Sequence, residues 1–364
     1  MSDQPDSRPQ RRRALRWAVP AGVVTLALAV SASGHLLSAN ASATLPTRTA
    51  EQLLTDLQGA RVDGLSGTVV QRSELELPQL PGITGSSGSS SLTSLVAGTH
   101  TMRVWYSGPD KARMALLGTL GESDVVVNGR DVWVWSSADK SAVHRQLPTH
   151  TDTRAETPAE VPATPAQVAR KALAAVDPTT QVTAAPDATT VAGRPAYELV
   201  LSPRDTRSLV GQVRIALDSE TKLPLRVQVI PAHRSSAAFE VGFTQVSFSR
   251  PGAENFRFSP PPGTKVTESA VQSDKPDVTK HKSDATKAAA AAAPRVVGTG
   301  WTSVVVAKAP QLANSAGLQR IVASLPKVQG GRLLRSSLFS VLFTDDGRVV
   351  AGAVAPDLLY AAAR

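Results

Sequence analysis

Cysteine is absent from all 364 residues. That excludes disulfides, thiolate metal sites, a cysteine nucleophile and acylation at a lipobox cysteine. Aromatic residues are scarce at 4%. No basic run interleaves with them and no nucleic-acid module is recognisable, which excludes nucleic acid as a partner. Acidic residues are the minority, 30 against 39 Lys and Arg, for a net charge of +9. Five arginines and two aspartates in residues 1–16 supply +3 of this, and the remaining surplus is diffuse. It suits anionic headgroups and an ordinary soluble domain equally.

Catalytic chemistry is missing too. The histidines (His35, His100, His144, His150, His233 and His281) are scattered singly, with no metal-ligand spacing. Gly64-Leu-Ser-Gly67 is not a nucleophile elbow, and Gly82 to Gly88 lacks the Lys-Ser/Thr ending of a phosphate loop. Asp139, Asp345 and Asp346 read as turn residues. The sequence therefore predicts no enzyme, no catalytic residue, no metal and no cofactor.

What is present is 41% hydrophobic residues, enough for a core, in a length that predicts two domains. Arg11, Arg12 and Arg13 precede an apolar run from Trp17 to Val30, then two small-x-small sites at Ala39–Ala41 and Ala41–Ala43. Residues 1–43 read as a signal peptide or a retained membrane anchor, with 15–37 the apolar part and positive charges holding the N-terminus inside. The rest is expected to be exported, at the outer face of the cytoplasmic membrane or secreted.

Thr49, with Gln52 three residues on, predicts a capped helix to Gln58 with an apolar stripe of Leu53, Leu54 and Leu57. A strand follows from Gly64 to Glu74, then a Gly/Ser-rich loop over 78–99. Met102, Val104 and Tyr106 alternate with Arg103 and Trp105 as a strand returning over Lys111–Leu117. Ser123–Val127 and Asp131–Trp135 read as a hairpin around Asn128-Gly129. After a Pro/Thr segment come a helix at Ala166–Val176 and strands at Val191–Leu201, Gly211–Leu217, Leu223–Ile230 and Ala238–Val246. Such a meander wraps into a curved antiparallel sheet plugged by the two helices. Residues 268–296 read as a flexible linker. The tail 297–364 reads as a small α+β unit of order β-α-β-β, with strands at Leu338–Phe343 and Arg348–Val354 and a last helix at Asp357–Ala363.

Four short strings in this order resemble the LolA-like superfamily, which includes lipoprotein carriers and receptors and RseB/MucB-like regulators. They are the helix and strand at 49–70, the hairpin from Met102 through Pro109, Lys111 and Arg113 to Met114, the hairpin Val127–Trp135, and Asn255–Val266. The resemblance spans about residues 47–270 and implies an unclosed β-barrel over 47–267, its hydrophobic concave side holding acyl chains. Carriers latch their lid with an arginine, for which this chain offers Arg72. The tail beyond 297 departs from the carriers and turns attention to the regulators, whose partner is a membrane anti-sigma factor in envelope-stress signalling. The expected function is an extracytoplasmic lipid or lipoprotein binder that shelters acyl chains, with the anti-sigma regulator as the alternative. The cavity is expected to be lined by Met102, Val104, Tyr106, Trp133, Trp135, Phe239, Val241 and Phe243. Trp133 and Trp135 are placed inward because paired exposed indoles would be a costly patch. The loop with Leu77, Leu80 and Ile83 is the expected lid.

Overall fold

Thr49 caps helix α1 (Ala50–Gly59): its hydroxyl accepts the Gln52 N–H and the Gln52 side chain accepts the Thr49 N–H. The computed structural model describes residues 45–78, 90, 94–95, 97–147, 164–174, 176–269, 294–308 and 316–364. The leader 1–43, Leu80 and Ile83 lie outside these residues. Among the described residues no helix is long and apolar enough to cross a membrane.

The large sheet holds 13 strands. They are β1 (Leu65–Ser73), β2 (Gly98–Tyr106), β3 (Lys111–Leu117), β4 (Glu122–Asn128), β5 (Asp131–Ser136), β6 (Ser141–Gln146), β7 (Thr180–Ala184), β8 (Thr189–Val191), β9 (Arg194–Pro203), β10 (Val210–Asp218), β11 (Pro224–Pro231), β12 (Phe239–Ser247) and β13 (Lys265–Ser269). Helix α2 (Pro165–Ala174) lies between β6 and β7. The order runs β13-β6-β5-β4-β3-β2-β1-β12-β11-β10-β9-β7, with β8 on β9. The sheet is curved and does not close into a barrel. Every pairing is antiparallel except β13 on β6.

Three local readings need correction. The Asn-Gly hairpin turns one residue later than predicted, because Asn128 pairs with Asp131 and leaves Gly129 and Arg130 as the loop. Gly129 takes φ +63°, which only glycine adopts cheaply. The predicted strand Val191–Leu201 is broken into β8 and β9 by Ala192 and Gly193, both at positive φ as a two-residue hairpin demands. The predicted closing strand Asn255–Val266 begins instead as a 3₁₀ turn, Ala253–Phe256, and joins the sheet only at β13.

A second sheet of six strands has the order β14-β15-β19-β18-β17-β16. These are β14 (Arg295–Val297), β15 (Val304–Lys308), β16 (Lys327–Val328), β17 (Gly331–Arg335), β18 (Ser340–Thr344) and β19 (Arg348–Gly352), with α3 (Ala316–Ser324) and α4 (Pro356–Ala363). Val304, Leu342, Val350 and Leu359 form its core. It meets the large sheet through backbone bonds from Leu209 to Ala353 and from Ser337 to Leu75, and through Trp301, whose indole N–H donates to Thr180 Oγ1 at 2.8 Å.

Candidate functional site

Directly paired residues of an antiparallel sheet project to one face, so the registers sort the side chains. Met102 pairs with Val69 and Leu116, and Val69 with Phe243. Val241 pairs with Gln71 and with Val227. This face carries the main core, where Val69, Met102, Leu199, Leu201, Ile215, Val227 and Val241 are fully buried. Helices α1 and α2 cover it, adding Leu53, Leu57 and Ala169 and touching β7, β9, β11 and β12. Val104 and Phe243 are buried there as well, and Tyr106 and Phe239 are half-buried. Six of the eight expected cavity residues thus share one face. Their side chains are packed into a core.

The core stops at Leu116 and Met114, but the face does not. One row continues Val104–Met114–Val125–Val134–Val143 across β2 to β6. Val127 and Val132 pair beside it. Val125 and Val134 are half-buried and Val143 is 41% exposed. Four steps between neighbouring strands make this row about 19 Å long. Ser123, Ser136 and Ser141 form the next row.

The tryptophans are a correction. Trp133 pairs with Val126 and His144, and Trp135 with Asp124 and Ala142, on the face of Arg103, Trp105 and Arg113. They therefore face away from Met102. The chain after β12 crosses this outer side, burying Phe256 and bringing Phe258 within 5.4 Å of the Trp133 ring and 6.1 Å of Trp135. That segment covers the indoles, so Trp133 and Trp135 are half-buried on the outer face and form no exposed patch.

The outer face is charged. Arg103 and Arg113 stack over Trp105 at 5.1 and 5.3 Å. Arg113 pairs with the buried Asp124 at 2.5 Å. Burial, reinforced by Glu122 and opposed by Arg113, pushes the Asp124 carboxyl up to about 6. His144 stacks on Trp133 at 4.2 Å and bridges Asp131 (3.1 Å) and Glu268 (2.8 Å). A groove of about 250 Å³ lies between Thr68, Arg103, Trp105 and Gln245. Arg72 also projects to this side and pairs with Glu240, so it does not reach the helix-covered face.

The predicted loop is entered by Leu77, which is half-buried. Farther along, Leu95 inserts into the main core. Two buried polar residues of the helix-covered face hold this stretch: the Gln71 side-chain amide donates to the Leu95 carbonyl, and His100 Nε2 lies 2.8 Å from the Ala97 carbonyl. Both residues escaped the sequence reading, whose only available signal was a polar residue at an inward position of each strand. Among the described residues no group of His, Asp and Glu is arranged to hold a metal.

No family model matches the sequence, and no curated protein matches it. Among solved structures, the Pseudomonas aeruginosa MucA/MucB complex is 16% identical over 86% of this chain and 96% of that one, with a TM-score of 0.41. A LolA superfamily protein from Nitrosomonas europaea is 10% identical over 58% of this chain and 99% of that one, at 0.22. An uncharacterised conserved protein from Thermus thermophilus is 11% identical over 60% of this chain and 99% of that one, at 0.34. Likeness at these scores carries no argument about function.

Proposed function

We propose that the protein is an extracytoplasmic binding protein that shelters acyl chains of a lipid or lipoprotein against the helix-covered face of its open sheet. The observation that carries this reading is the valine row of Val125, Val127, Val132, Val134 and Val143, which prolongs the core face beyond the helices, with Val132 buried, Val143 exposed and the other three half-buried. An aliphatic chain laid along it needs no specific polar chemistry, since each buried methylene contributes about 0.8 kcal/mol. The charged leader, the apolar segment 15–37 and the resemblance to carriers support a site outside the cytoplasmic membrane. Native mass spectrometry of the purified chain tests the reading. Co-purifying acyl lipid is expected, reduced in Val134→Glu with the melting temperature retained because that position is only half-buried. Val241→Glu, by contrast, places a charge at a fully buried position of the main core and should not fold. Undiminished lipid in a folded Val134→Glu chain overturns the reading.

The alternative, a regulator engaging a membrane anti-sigma factor, is favoured by one observation: the second sheet is fastened to the first by hydrogen bonds at Leu75, Thr180 and Leu209. That holds the second sheet as a platform beside the large one. In-cell crosslinking distinguishes the readings. A membrane protein captured only when residues 294–364 are present supports the regulator, and lipid alone supports the binder.

A further inference from the structure

Gln71 and His100 pair directly across β1 and β2, and Ser73, two residues along β1, shares their face. The three are 1%, 2% and 7% exposed. Each keeps a buried polar atom with no hydrogen-bond partner among the described residues: Gln71 Oε1, His100 Nδ1 and Ser73 Oγ. Their surroundings are apolar, with Val69, Met102 and Leu95 beside them in the core.

The bonds these residues do make determine what is left. A carbonyl only accepts, so the Gln71 contact to Leu95 uses the amide NH₂ and leaves Oε1 as an acceptor. Likewise His100 Nε2 must carry the hydrogen it gives to Ala97, and the neutral ring then presents Nδ1 as an acceptor. Ser73 Oγ accepts or donates. Two fixed acceptors and an adaptable hydroxyl lack a donor, and they sit beneath the stretch carrying Ser94, Leu95 and Ala97.

We propose that Gln71 Oε1, His100 Nδ1 and Ser73 Oγ form a buried subsite for a hydrogen-bond donor, a hydroxyl or amide N–H at the polar end of an acylated ligand. The subsite rests on the acyl-binding reading, to which it adds headgroup selectivity. An ester or ether end without a donor would leave both acceptors unpaired, so such ligands are discriminated against. The carbonyls of Leu95 and Ala97 are held by the other ends of the same two side chains, so substituting either residue also loosens the covering stretch.

The test uses the full chain and two probes with the same acyl tail, monooleoylglycerol, which has free hydroxyls, and methyl oleate, which has none. Displacement of a fluorescent fatty acid gives both affinities. Wild type is expected to prefer monooleoylglycerol by about tenfold or more. Gln71→Met and His100→Leu should each shrink that preference. Equal binding of the two probes by wild type overturns the subsite, as a water permanently satisfying the three atoms would produce, and leaves acyl binding standing. Binding of neither probe overturns the acyl reading and the subsite with it. The wild-type comparison decides even where a variant fails to fold.

Discussion

Asp124 shows at the residue scale how a position can look ordinary in sequence and be unusual in the fold. It sits within the run Ser123–Val127, read from the sequence only as one arm of a hairpin. The register turns its carboxyl onto the outer face beside Arg113 and Trp135 and leaves it 1% exposed. Its folded value of about 6 against 3.8 means that the native state keeps a proton the unfolded chain has released. Stability therefore falls as pH rises from about 4 to about 6, by at most about 3 kcal/mol from this group. Asp124→Asn should remove that part of the slope, as measured by urea unfolding across this pH range. Identical slopes in the two chains would show that the carboxyl ionises normally in the fold. Gln71 and His100 teach the same lesson. Their types were visible, but only the pairing of β1 with β2 brings them together.

At the scale of elements, β13 is the least expected strand. A sequence can signal a hairpin through its turn, whereas β13 is parallel to β6 and separated from it by more than a hundred residues, so no local signal sets their register. Its side-chain tie is Glu268 to His144, which also bridges Asp131 and stacks on Trp133. Burial lowers the imidazole's affinity for a proton, but the bonds to Asp131 and Glu268 outweigh it and raise the value above 6.5. With the folded value raised, the tie is complete below about 6.5 and weakens as pH rises through the folded value. Hydrogen exchange of residues 265–269, corrected for intrinsic rates, should show protection declining from about pH 6 to about pH 8 in wild type. In His144→Gln protection should not change with pH. A pH-independent wild type would remove His144 as the tie. Strands β6, β7, β14, β16 and β17 also went unread. They are short or polar, Ser141–Gln146 among them, and owe their conformation to neighbours already in the sheet.

On the scale of the whole molecule, the second sheet has a core of its own yet also lends Leu338 to the main core and meets the large sheet at Trp301 and Gly300. Gly300, at φ +55°, lies so close to Thr179 that a Cβ there would collide with its side chain. Trp301→Ala removes the bond to Thr180 and packing against the main core, and should turn one cooperative melt into two transitions in calorimetry. A single transition at the wild-type temperature would show that the backbone contacts suffice. The sequence by itself determined the capped first helix, the strand meander, the mainly β class, the absence of thiol chemistry and the buried identity of Met102, Val104, Val241 and Phe243. Those features are written in local spacing and capping residues, which act over a few positions. Only the tertiary structure decided which way Trp133 and Trp135 point. Their strand is apolar on both faces, so alternation gives no direction, and the Phe256–Phe258 segment that covers them arrives from more than a hundred residues away. It likewise decided that the core face is packed by helices along β7 to β12 and carries a valine row along β4 to β6 that those helices do not touch, because coverage depends on where α1 and α2 dock.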